Sequence, residues 1–242
     1  MLTSSLLDDA RGLADGLVAL RRAIHAEPEL GLHTPLTRDK IRAALADLPL
    51  DWREGPSTTG LVATLNGGAG PGRSVLLRGD MDALPMPEET GLDFASTIPG
   101  RMHACGHDAH VAMLAGAVRL LCARRDELAG EVRFMFQPGE EGYHGARYML
   151  DDGLLDPLPD AAFALHVMPN ARHGLIAGWE TSLVRDKPAA GGDRQQRDVD
   201  HRCSHRQVLQ PRVGRGNVRE GHPAAHVGMH RPRRRARVRE PE

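Results

Sequence analysis

Cysteine is scarce in this chain: among 242 residues there are three, Cys105, Cys122 and Cys203. Cysteines so few and so widely spaced do not form a disulfide framework, which favours a reducing compartment, the cytoplasm. Long apolar runs are also missing, since no stretch approaches the roughly 18 residues that a membrane-spanning helix needs. The N-terminal residues mix aspartates with apolar side chains and have no basic region before them, so they predict an amphipathic helix and not a signal peptide. We therefore expect a cytoplasmic protein with no membrane partner.

A strong net charge of either sign is also absent. The formal net charge is −1 at pH 7, so the whole chain shows no electrostatic preference for nucleic acids or membranes. This average conceals an asymmetry, because residues 1–184 contain 16 Lys+Arg and 25 Asp+Glu, whereas residues 185–242 contain 15 and 7. An acidic first part and a basic last part indicate two segments of different character.

The basic segment, residues 185–242, lacks Phe, Tyr, Trp and Ile and has a single leucine, Leu209. It cannot bury enough apolar surface to offset the entropy lost on ordering, so we expect a disordered tail. Its arginine-rich, period-free composition resembles GC-rich DNA translated in a wrong reading frame, a hypothesis that sequencing the coding DNA tests. An RNA-binding tail is the alternative, but without aromatic side chains for base stacking no nucleic-acid partner is expected.

Residues 1–184 alternate between helical and strand patterns. Helices are predicted from Leu6 to about His25, from Thr37 to Leu48, after Asp108 as N-cap to Leu128, and from Gly145 to Gly153. Strands are predicted within 60–68, 74–85, 131–138 and 160–169, with a further candidate at 173–183. The apolar runs 75–77, 132–136 and 161–165 are typical of central, buried strands. This alternation predicts an α/β sheet with helices on its faces.

Side chains of the types that bind metal ions follow the ends of these strands, where the reactive groups of α/β proteins gather. They are Asp80 and Asp82 after the second strand, Cys105 and His107 before the long helix, Glu140 and Glu141 after the third strand, and His166 after the fourth. A mixed set of sulfur, nitrogen and oxygen donors suits Zn²⁺ or a similar first-row ion. Paired carboxylates allow one to bind metal while its neighbour transfers protons.

Each of these residues also has a simpler structural explanation. A single cysteine such as Cys105 is more often a small buried side chain than a ligand. His166 fits a hydrogen-bonded core histidine, and the two aspartates fit turn caps. Cys122 lies in a strongly periodic helix, where a core position is expected. The other histidines, His103, His110 and His144, are assigned no metal. The combination of donors at successive strand ends, and not any one residue, indicates a metal site.

Five stretches of the sequence resemble a known family. They are LRRAIHAEPELGLHT, RGDMDALPMPEETGLDFAS, MHACGHDAHVAMLAGAVRLL, GEVRFMFQPGEEGYHGARYMLDDGLL and ALHVMPN. Over roughly residues 15–184 the chain is similar to the M20 metallopeptidase family. The resemblance is strongest to the amidohydrolase branch, which includes hippurate, N-acyl-amino-acid and auxin-conjugate hydrolases.

This resemblance implies a zinc-peptidase-like catalytic domain: a mixed, mostly parallel sheet with helices on both faces, of which residues 1–184 are the N-terminal part. It implies an enzyme that cleaves the amide bond of small N-acyl amino acids with two divalent ions, Zn²⁺, Mn²⁺, Co²⁺ or Ni²⁺. Cys105 would bridge the ions, with His107 and Glu141 on one and His166 on the other. Glu140 would be the general base, and Asp82 would orient a metal ligand.

The chain departs from the family pattern after residue 184. The expected lid and dimerisation domain, and the final metal-binding histidine that follows it, are not recognisable. Relatives with that domain are expected to be homodimers. The alternative to an active enzyme is therefore an incomplete, catalytically inactive fragment that still binds metal.

Overall fold

The computed structural model describes residues 2–169, which form a five-stranded mixed sheet with helices on both faces. The strands are β1 (Asp51–Glu54), β2 (Leu61–Asn66), β3 (Ser74–Asp80), β4 (Glu131–Gln137) and β5 (Ala161–Ala164). The helices are α1 (Leu2–Gly12), α2 (Ala14–His25), α3 (Pro35–Ala44), α4 (His107–Cys122) and α5 (Gly145–Asp151), with a 3₁₀ turn at Arg125–Glu127. The predicted α/β class is confirmed.

The strand order is β1-β2-β4-β3-β5. Strand β3 runs parallel to both β4 and β5, whereas β2 is antiparallel to β1 and β4. The predicted mixed sheet is therefore confirmed, with parallel pairing confined to the half that contains β4, β3 and β5. These three strands end at the same edge of the sheet, and this places the residues that follow them side by side.

The larger part of the core lies between one face of the sheet and helices α2, α3 and α4. Strand β2 points Leu61, Ala63 and Leu65 into this layer, and β4 adds Phe134 and Phe136. Alternate side chains of the same strands point to the opposite face, as the two-residue period of a strand requires. A smaller cluster there packs against α5, with these members: Val62, Leu76, Met135, Met149, Leu154 and Leu155.

Several predicted boundaries were wrong. The first helix is interrupted at Leu13 and forms α1 and α2, and the short, largely exposed β1 was not predicted. Helix α4 begins at His107, and its N-cap is Gly106 with a φ of 83°. Asp108 is thus inside the first turn of α4 instead of capping it. Cys122, at the end of α4, packs against the larger core as predicted.

Strand β5 is an edge strand of the described sheet and not the buried central strand that its apolar run suggests. Phe163 is 62% exposed. The candidate strand at 173–183 and the predicted disordered tail at 185–242 lie outside the described residues. Within residues 2–169, each helix is too short or too polar to cross a bilayer.

Candidate metal centre

The residues after β3, β4 and β5 meet the N-terminus of α4 at the carboxyl edge of the sheet. Three sets of side chains there have ligand atoms within 4.8 Å of one another. The sets are Cys105, His107 and His166; His107, Glu140 and Glu141; and Asp80, His107 and His110. All four predicted metal ligands and the predicted general base therefore lie in one cluster, and His107 belongs to every set.

His107 is fully buried, and its two ring nitrogens differ. Nδ1 lies 2.7 Å from the backbone carbonyl oxygen of Asp82 and donates to it. Nε2 is buried and has no hydrogen-bond partner among the described residues. It faces Glu140 Oε2 and Glu141 Oε1, each at 3.8 Å. A nitrogen left open among carboxylate oxygens fits a metal ligand, because the ion provides the missing partner.

The charges around His107 favour a cation. Burial alone would lower the pKa of this imidazole, but the neighbouring Asp82 and Cys105 side chains and the charge of Asp80 outweigh burial and raise it to about 11. Without metal, the imidazole ring of His107 is therefore protonated at neutral pH, and its positive charge lies among the surrounding carboxylates. A divalent ion in that position would replace the proton with a larger positive charge.

Cys105 and His166 are neighbours within the cluster. Cys105 Sγ lies 3.4 Å from His166 Nε2. The other ring nitrogen of His166, Nδ1, donates to the carbonyl oxygen of Val167 at 2.7 Å. In the neutral ring, this bond leaves Nε2 as the nitrogen with the lone pair, and Nε2 lies against the sulfur. This pairing of a thiol with an imidazole nitrogen also suits a first-row divalent ion.

His110 is not available as a ligand, although it belongs to the third set. Its Nδ1 lies 2.5 Å from Asp80 Oδ1, and its Nε2 accepts the backbone N–H of Val167 at 2.9 Å. Both nitrogens are thus engaged by the protein. The ligand atoms that remain for metal ions in the first two sets belong to Cys105, His107, Glu140, Glu141 and His166.

Asp82 holds the turn that contains the two glutamates. Its carboxylate oxygens accept the backbone N–H of Glu140 at 2.9 Å and that of Glu141 at 3.0 Å. Its backbone carbonyl orients His107. The buried Asp82 thus orients three residues of the cluster without exposing a ligand atom of its own.

Glu140 is suited to accept a proton. Burial raises the pKa of its carboxyl above the ordinary value, and the charges of Asp80 and Glu141 act in the same direction, against Arg78 and His107. A carboxylate with a raised pKa binds a proton more readily near neutral pH, which general-base catalysis requires.

Comparisons with known proteins agree with this geometry. The model of peptidase family M20/M25/M40 matches residues 76–228, more than half of the chain. The chain belongs to this family.

Curated relatives are enzymes. Thermostable carboxypeptidase 1 of Saccharolobus solfataricus is 39% identical over 178 residues, 73% of this chain and 45% of that protein. An N-acetylcysteine deacetylase of Bacillus subtilis is 41% identical over 169 residues, 69% of this chain and 44% of that protein. The chain thus spans less than half the length of these M20-type relatives.

A solved structure is similar as well. A dinuclear metal-binding peptidase of the M20 family from Bacillus subtilis matches with a TM-score of 0.62 and 41% identity, covering 66% of this chain and 45% of that one. The metal site of that relative is therefore dinuclear. In this chain, the metal-ligating side chains gathered around His107 are where divalent ions fit.

The sequence analysis did not predict a buried polar network that lies beside the metal-ligating side chains around His107. Asp108 Oδ2 lies 2.7 Å from both Arg21 Nε and His25 Nδ1. His25 Nε2 lies 3.1 Å from Glu88 Oε1. This network connects α2, the 84–102 loop and the first turn of α4. The sequence signal for this network was His25, in the stretch LRRAIHAEPELGLHT. That stretch supported the family resemblance, but His25 itself was assigned no role.

Proposed function

We propose that this chain provides the metal centre of an amidohydrolase that cleaves the amide bond of N-acyl amino acids. The observation that supports this most directly is the open, buried Nε2 of His107, which faces Glu140 and Glu141. The 39–41% identical relatives include an N-acetylcysteine deacetylase, whose name describes such an amide.

We assign four ligands and a base. Cys105, His107, Glu141 and His166 would hold two divalent ions, with Cys105 shared between them, His107 and Glu141 serving one, and His166 the other. When bound, such ions lower the pKa of water and polarise a substrate carbonyl. Glu140 takes the proton from the attacking water and delivers it to the leaving nitrogen. Asp82 keeps the Glu140 backbone and the His107 ring in place.

The donor set favours a thiolate-binding ion, and Zn²⁺ is our first choice among Zn²⁺, Mn²⁺, Co²⁺ and Ni²⁺. A thiolate that is to bind metal has to remain reduced, which fits the reducing cytoplasm expected from the low cysteine content.

A metal-binding fragment without turnover is the second candidate. The two candidates share the metal centre and differ only in catalysis.

The test is metal content together with hydrolysis of N-acetylcysteine and N-benzoylglycine by the full chain. We expect two equivalents of Zn²⁺ after reloading, and a Glu140→Gln variant that retains metal but loses about 10²–10⁴-fold in rate. Glu89→Gln is the matched control, because Glu89 is an exposed glutamate that belongs to none of the three ligand sets. Metal without turnover supports the second candidate. A chain that binds no divalent metal contradicts both.

A further inference from the structure

His110 lies one turn after His107 on α4 and is 2% exposed. Its Nε2 accepts the backbone N–H of Val167, which can only donate, at 2.9 Å. Nδ1 must then hold the ring proton and donate it to Asp80 Oδ1. A single tautomer therefore satisfies both hydrogen bonds, and a buried ring with both nitrogens engaged is held in one orientation.

Asp80, the partner of His110, is itself anchored. Arg78 Nη1 lies 2.7 Å from Asp80 Oδ2 as an ion pair, although this oxygen has no aligned hydrogen-bond donor among the described residues. Arg78 Nε in turn donates to Gln137 Oε1 at 2.8 Å. A continuous polar chain thus connects the ends of β4 and β3, through α4, to the segment after β5.

That segment contains His166 and follows β5, the edge strand of the described sheet. Strand β5 has only four residues, and Phe163 within it is 62% exposed. The side chain of His166 is exposed, and its Nδ1 bond is to the adjacent residue Val167. The ring of His110 lies 4.5 Å from that of His166, centroid to centroid, at an interplanar angle of 67°. The Val167 backbone and this ring contact connect His166 to the buried part of the molecule.

We propose that His110 is a positioning residue that holds His166 against Cys105 through the backbone N–H of Val167, with Asp80 fixing its tautomer. The inference rests on the proposed function in naming His166 as a metal ligand. The contact that His110 would maintain is the 3.4 Å approach of His166 Nε2 to Cys105 Sγ. Groups that orient metal ligands in this way typically account for about 10–100-fold in metal affinity.

The first test needs no metal. In the full chain, we expect the Val167 amide to be protected from hydrogen exchange, and His110→Leu to remove that protection. His110→Gln should restore it in part, because its amide offers one donor and one acceptor. Val118→Ala, a buried core change further along α4, is the control for general loss of stability. Unchanged Val167 protection in His110→Leu, or equal loss in Val118→Ala, overturns the proposal.

The second test places the effect at His166. Zn²⁺ titration of His110→Leu should show one ion bound as in the wild type and the other weakened by about 10–100-fold. In the double variant with His166→Ala, removal of His110 should cost nothing further, since the two residues act on the same ion. Losses that add in the double variant mean that His110 acts elsewhere and overturn the proposal.

The two tests separate this inference from the proposed function. A wild-type chain that binds fewer than two ions contradicts the dinuclear centre. In that case, loss of Val167 protection in His110→Leu, with recovery in His110→Gln, still supports the positioning of the His166 segment. The opposite result is a chain that binds two ions but whose Val167 amide exchange does not change when His110 is replaced. That result supports the dinuclear centre and contradicts the role of His110.

Discussion

Asp82 Oδ1 accepts the backbone N–H of Glu140 at 2.9 Å, although 58 positions separate the two residues in the chain. The other carboxylate oxygen accepts the N–H of Glu141. The buried side chain of Asp82 thus fixes the backbone position of the proposed base, Glu140, and of its neighbour Glu141. The direction of this bond, from turn backbone to aspartate, leaves both glutamate side chains free for metal and proton transfer.

Replacing Asp82 with asparagine should loosen this turn. The amide oxygen can accept one of the two N–H groups, but the amide nitrogen faces the other donor. We expect the free energy of unfolding to fall by roughly 1–3 kcal/mol and metal affinity to fall by about 10–100-fold. Urea unfolding of the metal-free chain and Zn²⁺ titration measure the two effects. Asp93→Asn, at an exposed aspartate, is the control, and equal behaviour of both variants would refute the role.

Gly106 should not tolerate a side chain. Its φ is 83°, and a Cβ atom would overlap Cγ2 of Val167, next to His166. Gly106→Ala is therefore expected to lower both stability and metal affinity. Gly91→Ala is a close control, since Gly91 has a φ of 66° but nothing within 4 Å of its Cβ position. Backbone strain alone costs roughly 1–2 kcal/mol, so a larger loss at Gly106 measures the steric contact. Equal losses at the two sites would contradict that contact.

Glu88 should make stability depend on pH. Burial raises the pKa of its carboxyl, but hydrogen bonds from Thr90 and Ser96 and the bond to His25 outweigh burial and hold the pKa below the ordinary 4.5. A lowered folded-state pKa stabilises the protein above the unfolded value and loses this effect as pH falls through the folded one. We expect Glu88→Gln to be less stable than wild type near neutral pH, and the gap to close below about pH 4.5. Denaturant midpoints from pH 3 to 7 measure this. A gap that is constant over that range would exclude the carboxylate as its cause.

Metal should stabilise the folded chain through Cys105. A ligand at about 100 times its Kd adds about 2.7 kcal/mol to the free energy of unfolding, so Zn²⁺ should raise Tm and a chelator should reverse the rise. Cys105→Ala is expected to lose most of this metal-dependent shift. Cys122→Ala should keep it, because Cys122 packs against the core at the far end of α4. An equal shift in both cysteine variants would mean that the thiol of Cys105 is not a ligand. Differential scanning calorimetry with and without metal makes the comparison.

Much of the fold was predictable because its signals are local. The apolar alternation of β2, the buried run of β4 and the helical period of α4 each follow from a few adjacent residues. The position of β5 at the edge of the described sheet was not predictable, since the same apolar run fits a central strand. Likewise, Asp108 looks like an N-cap, but its partners Arg21 and His25 are more than 80 positions away.

The sequence by itself determined the donors: which thiol, imidazole and carboxylate groups exist and at which strand ends they stand. Parallel strands end at the same edge of the sheet, so the order of the motifs was enough to predict that these groups meet. The tertiary structure alone decided which nitrogen of each histidine is open. His107 and His110 are three residues apart on one helix, yet Nε2 of the first faces carboxylates and Nε2 of the second accepts from Val167. That difference depends on contacts between strands distant in sequence, and short-range patterns contain no information about them.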